Sequence, residues 1–108
     1  MQDMVYKVKA DFLRVIGHPI RLRLIEELKH GEKSVGHLVK KFKIGQSSMS
    51  RHLLALHNMG ILSSRQQKTM VYYDIADHDI FHVLRPIAVM LRKKFKASEK
   101  LLNNLGKE

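Results

Sequence analysis

Two segments with apolar residues at helical spacing, residues 34–42 and 46–59, are separated by only Lys43-Ile44-Gly45. So short a connection makes a tight corner and nothing else, so the two helices must pack on each other as a pair. On the first, Val35, Leu38, Val39 and Phe42 stand at i, i+3, i+4 and i+7, the stripe that buries one helix face. On the second, Met49, Leu53 and Leu56 point inward and Gln46, Ser47, Ser50 and Arg51 lie toward the other side. Two short helices around a glycine-containing turn form a helix-turn-helix. After Gly60, the β-prone runs 61–65 and 70–75 flank the polar Gln66-Gln67-Lys68-Thr69, which predicts a hairpin with a basic, amide-rich tip. The expected fold is therefore mainly α with a small β-hairpin (α+β), a winged helix-turn-helix.

The flanks read as further helices. Val5, Val8, Phe12 and Ile16 share one stripe over residues 3–16, and Pro19 opens a second helix with Ile20, Leu24, Ile25 and Leu28 inside. Proline costs nothing in a first helical turn. Gly17, Gly31 and Gly60 each follow an apolar segment, where a left-handed helix end is expected. Asp77 or Asp79 offers a cap for a long last helix, about residues 78–105, which contains Pro86. Ile80, Leu84, Ile87, Leu91, Phe95, Leu102 and Leu105 run along it. A chain of 108 residues reads as one domain, residues 1–108, with a core too small to cover a stripe of that length. The stripe predicts a homodimer, with Val5, Val8, Phe12, Leu84, Ile87, Leu91 and Phe95 at the interface.

Charge narrows the partners. The chain carries 20 basic and 10 acidic side chains, a net charge of +10, which points to nucleic acid or an anionic surface. No acid lies between Glu32 and Asp74, where Lys33, Lys40, Lys41, Lys43, Arg51, Arg65 and Lys68 all fall. A surface that meets phosphates must avoid carboxylates. No apolar run is long enough to span a membrane, and residues 1–9 lack a signal-peptide core, so the chain reads as cytoplasmic with no membrane partner. There is no cysteine, which removes disulfides, thiol switches and thiolate metal sites.

In a winged helix the second helix of the pair reads base edges in the major groove with its N-terminal residues. Short polar side chains allow close approach, and an amide can pair twice with adenine. Gln46, Ser47, Ser48, Ser50 and Arg51 suit that task. Arg65, Gln67 and Lys68 at the hairpin tip suit phosphate or the adjacent minor groove, and Lys40, Lys41 and Lys43 before the second helix suit phosphate. The expected function is sequence-specific binding of double-stranded DNA as a homodimeric transcriptional regulator. The alternative is an architectural or RNA-binding winged helix without sequence preference; the short polar face argues against it, because purely electrostatic binding needs no such face. No nucleophilic cysteine, phosphate loop or carboxylate pair supports an enzyme.

The run Gly45-Gln46-Ser47-Ser48-Met49-Ser50-Arg51-His52-Leu53, with Leu56 and Gly60-Ile61-Leu62, resembles the signature of the ArsR/SmtB family. His18-Pro19-Ile20-Arg21-Leu22, Ser34-Val35-Gly36-His37-Leu38 and Val71-Tyr72-Tyr73 resemble the same family, in the same order. The resemblance implies a dimer whose first and last helices pack across a two-fold axis. It also implies operator binding, commonly as a repressor, with DNA contacts at Gln46, Ser47, Ser50 and Arg51. Two departures stand out: the usual serine cap is Gly45, and no glycine lies between Gly60 and Gly106 to form the wing turn.

The family's metal positions fall on Ser34 and Gly36, and on Asp77, Asp79, Met90 and Lys93. Of these only Asp77 keeps the ligand type, so the expectation is no metal and no cofactor, and no release from DNA by metals or thiol oxidants. His78 and His82 are spaced for zinc on one helical face beside Asp77 and Asp79; with 7 histidines in the chain, such a pair is also an ordinary surface feature. His37 and His52 read as structural or DNA-proximal. No residue pattern assigns an inducing ligand.

Overall fold

The computed structural model describes residues 1–105, in two units divided after Asp77. The first unit runs α1 (Gln2–Ile16), α2 (Pro19–Leu28), β1 (Lys33–Ser34), α3 (Val35–Phe42), α4 (Gln46–Asn58), β2 (Leu62–Gln67) and β3 (Met70–Ile75). Its core is aliphatic. Leu24, Ile25 and Leu28 of α2, Leu38 of α3 and Met49, Leu53 and Leu56 of α4 are all essentially without solvent exposure, with α4 packed against both α2 and α3. Truncating one of these leucines to alanine costs about 2–5 kcal/mol. Helix α1 packs on α2 and α4, but of its expected stripe only Ile16 is buried.

Local chemistry fixes the element ends. The Nδ1 of His18 accepts the Ile20 N–H at 3.1 Å and caps α2, while Ser34 Oγ accepts the His37 N–H at 3.1 Å and caps α3. Gly60 takes φ 80 just after α4, the left-handed turn expected there. Gly17 departs from that expectation. Its φ is −80, and glycine is needed for a different reason: a Cβ would lie 2.9 Å from the Leu13 carbonyl oxygen.

The sheet has three antiparallel strands in the order β1-β3-β2. The hairpin was expected, and β1 was not. It is only two residues long, and it exists because Lys33 and Ser34 pair with Tyr73 and Tyr72. The hairpin register runs from Leu62 opposite Ile75 to Gln67 opposite Met70. Strand β2 therefore extends to Gln67, and Lys68-Thr69 alone makes the turn.

The second unit is α5 (Ile80–Leu105). Of the two residues expected to cap it, Asp79 stands directly before the helix, its backbone carbonyl accepting the Val83 N–H at 3.3 Å. The helix continues through Pro86, whose missing N–H leaves the His82 carbonyl without its helical donor. Ile87, Leu91, Phe95 and Leu102 are exposed along it.

Candidate nucleic-acid interface

Helix α4 is held from below and left open above. Met49, Leu53 and Leu56 anchor it in the core. Gln46, Ser47 and Arg51 are exposed, and Ser48 and Ser50 are half-buried. Gly45 caps the helix without a side-chain hydrogen bond. The N–H groups of the first turn thus keep their donor capacity and the positive end of the helix dipole, both useful against a phosphate.

Helix α4 is tied to its neighbours by residues far apart in the chain, whose pairing no local pattern announces. The Arg21 Nε donates to His52 Nδ1 at 3.1 Å, and its Nη1 donates to the Val15 carbonyl at 3.1 Å. One guanidinium so joins α1, α2 and α4. The His18 ring lies 4.4 Å from that of His52. Burial holds the His52 imidazole below its ordinary range, helped by the nearby charges of His18, Arg21 and Arg51. A neutral ring accepting at Nδ1 carries its proton on Nε2.

The lysines and the wing arginine divide into two groups. Lys40, Lys43 and Lys68 are exposed. Lys43 closes α3 in the left-handed conformation, φ 56, and Lys68 forms the wing tip at φ 58. Lys41 and Arg65 are instead held by acids from outside the acid-free stretch. The Lys41 ammonium pairs with Glu27, which lowers the Glu27 carboxyl from its usual range. The Arg65 guanidinium grips both oxygens of Glu32, donates to Gln67 at 2.9 Å and lies 4.4 Å above the Tyr72 ring. Its hydrogen bond lowers the Glu32 carboxyl. Arg65 so stands at the middle of β2 rather than at the tip where the sequence suggested it.

A single cleft brings the pieces together, lined by Lys40 of α3, Gln46 and Ser50 of α4, and Thr69 at the wing turn. Helix α3, the start of α4 and the wing turn thus line one cleft of the first unit. The two histidines considered for metal lie in the second unit. His82 Nδ1 is 3.8 Å from Asp79 Oδ1, and the His78 ring is 6.1 Å from that of Phe81. Among the described residues no three metal-ligating side chains converge, and no described helix is long and apolar enough to cross a membrane.

Residues 18–64 match the model of the bacterial regulatory protein, arsR family. The chain is 32% identical over 83 residues to an uncharacterized HTH-type transcriptional regulator of Mycobacterium tuberculosis, Rv0081, covering 76% of this chain and 73% of the other. The crystal structure of Rv0081 superposes with a TM-score of 0.79 at 29% identity, over 87% of this chain and 95% of that one. A biofilm growth-associated repressor of Xylella fastidiosa is 35% identical over 68 residues, 63% of this chain and 60% of the repressor. The homodimeric winged helix-turn-helix DNA-binding domain Mb0332 of Mycobacterium bovis shares the fold, with a TM-score of 0.75 at 22% identity over 85% of each chain.

Proposed function

This chain belongs to the ArsR family of bacterial regulatory proteins, DNA-binding transcriptional regulators rather than enzymes, and from that premise we propose that it is a repressor that binds an inverted-repeat operator as a homodimer. The observation that carries the reading is the shared cleft. It aligns Gln46 and Ser50 with Lys40 and the wing turn, so α4 can enter a major groove while lysines on both sides meet phosphate. Gln46, Ser47, Ser48, Ser50 and Arg51 are the base-reading set. Lys40, Lys43 and Lys68 are the phosphate set. Lys41 and Arg65 join it only by giving up Glu27 and Glu32. The dimer is supported by the exposed apolar residues of α1 and α5, and the M. bovis domain uses this fold as a homodimer.

Sequencing the genomic fragments that the purified protein selects tests this. The expected product is an inverted repeat whose half-sites lie about one helical turn apart, roughly 34 Å. Arg51→Ala should then weaken operator binding by roughly 1–3 kcal/mol and relax the preference at one base position. Equal affinity for unrelated duplex and for RNA at the same salt would overturn the operator reading in favour of an architectural or RNA-binding role.

A further inference from the structure

The cleft beside the recognition helix is not shaped or lined for DNA alone. Its volume is about 490 Å³, and its wall is apolar: Val35 and Val39 of α3, Leu54 of α4, and Met70, Val71 and Tyr73 of β3. Leu54 and Met70 are 50% and 47% exposed. Apolar side chains standing open in a concave surface beside a few polar groups are the usual make-up of a ligand groove. Size and composition also fit a small-molecule site, for which roughly 300–1,000 Å³ and a few convergent polar groups are usual.

The polar groups select the ligand's charge. The lining residues include no carboxylate, and Lys40 is the one cation among them. Lys41 beside it is tied to Glu27, whereas Lys40 makes no ion pair among the described residues. Ser50 and the Gln46 amide add neutral hydrogen-bonding groups at the same edge. A carboxylate gains a charge-assisted hydrogen bond from Lys40, and an apolar body covers the Val39, Val71 and Tyr73 wall.

We propose that this cleft binds a small apolar carboxylic acid, its body against Val39, Val71 and Tyr73 and its carboxylate at Lys40, and that the bound acid excludes operator DNA. The second half rests on the assignment of Gln46 and Ser50 to the DNA face, since one pair of side chains cannot serve both occupants. Exclusion then follows from mass action. At ten times its own Kd the acid raises the apparent Kd for DNA about elevenfold per protomer, and on the order of a hundredfold for a dimer that needs both clefts empty.

The test uses the full chain, with decanoate and 4-phenylbutyrate as probes and the corresponding alcohols as controls. In ¹⁵N–¹H spectra without DNA, the acids should shift the amides of Val39, Val71 and Tyr73 at millimolar concentration or below. The alcohols should bind at least fivefold more weakly, and Lys40→Gln should remove that difference. In a fluorescence-anisotropy titration the acids should compete with the selected duplex. Val39→Phe, which fills the cleft from its wall, should abolish the response while duplex binding persists. Absence of shifts in the wild-type spectrum, or shifts confined to α1 and α5, overturns the site. Equal binding of acid and alcohol overturns the ligand class. Acid and duplex bound together without competition overturns the exclusion. A protein that shows the amide shifts but selects no duplex overturns the operator reading and leaves the cleft established.

Discussion

Outside glycine, the left-handed backbone conformation occurs among the described residues only at Lys43 and Lys68. An L-residue pays roughly 1–2 kcal/mol there, and glycine, whose own entropic cost is about 0.5–1 kcal/mol, is the ordinary choice. Both positions keep a lysine, one at the turn before α4 and one at the wing tip. Strain retained at a surface position points to function, and here the function gained is a charge at each edge of the candidate interface. Lys43→Gly and Lys68→Gly should therefore leave stability level or raise it by up to about 1 kcal/mol, as urea melts would show. Each should also lower the slope of log K against log salt by about one. Unchanged DNA affinity in both variants would mean that the lysines are not held there for phosphate. His52 belongs to the same scale. Its folded pKa lies below its unfolded value, chiefly through burial, so the unfolded state takes up the proton first as pH falls. Stability is fully present above about pH 6.5 and falls below it, until the folded ring also protonates and loses the Arg21 hydrogen bond. His52→Gln should flatten the stability profile of chemical melts between pH 7 and 5; an unaltered profile would assign the acid sensitivity to another group.

The wing shows how an element can be braced against its own ligand. Glu32 lies just before β1, and its grip on Arg65 ties that short strand to the middle of β2. The same contact holds a carboxylate on the edge of a surface proposed to meet phosphates. Glu32→Gln should free Arg65 and remove a repulsive charge, raising affinity for all duplexes and steepening the salt slope by about one. Salt-series gel shifts of Glu32→Gln and of the double variant with Arg65→Ala would check it, since the double variant should lose the added slope. Little of this bracing was legible in the sequence. Periodicity and caps are local signals, so α3, with Ser34 at its start, and α4, opening after Gly45, were read within a residue or two of their observed ends. The pairs Arg65–Glu32, Arg21–His52 and Lys41–Glu27 are closed by the fold across long stretches of chain, and nothing local announces them. Strand β1 was missed for the same reason: two residues become a strand only because Tyr72 and Tyr73 arrive beside them. Val35 and Val39 carried a misleading signal. Their helical spacing marked them as core, yet they are only half-buried, and the cleft they line depends on where β3 passes.

At the scale of the whole molecule, the single chain leaves its longest apolar surfaces uncovered. Val8 of α1 is 59% exposed and Phe95 of α5 is 68% exposed, with Val5, Ile87 and Leu91 also open; Phe12 and Leu84 are half-buried. Soluble monomers seldom keep contiguous apolar stripes of this kind, and a second copy supplies matching ones, because a two-fold interface places the same patch on both partners. Charge acts against association: α5 carries Arg85, Arg92, Lys93, Lys94, Lys96 and Lys100 against a single acid, Glu99. Screening of that repulsion should make the dimer tighter, not looser, as salt rises, opposite to the effect of salt on DNA binding. The two dependences can thus be separated in one set of buffers. Leu91→Glu places a carboxylate in the proposed seam, where an unpaired buried charge is strongly disfavoured. Sedimentation at micromolar concentration should find the wild type dimeric and the variant monomeric. A monomer presents one recognition helix, so operator affinity should fall with dimerisation, while helix content by circular dichroism remains that of a folded first unit. A wild-type chain that sediments as a monomer and still binds the inverted repeat tightly would overturn the dimer and the two-fold operator together.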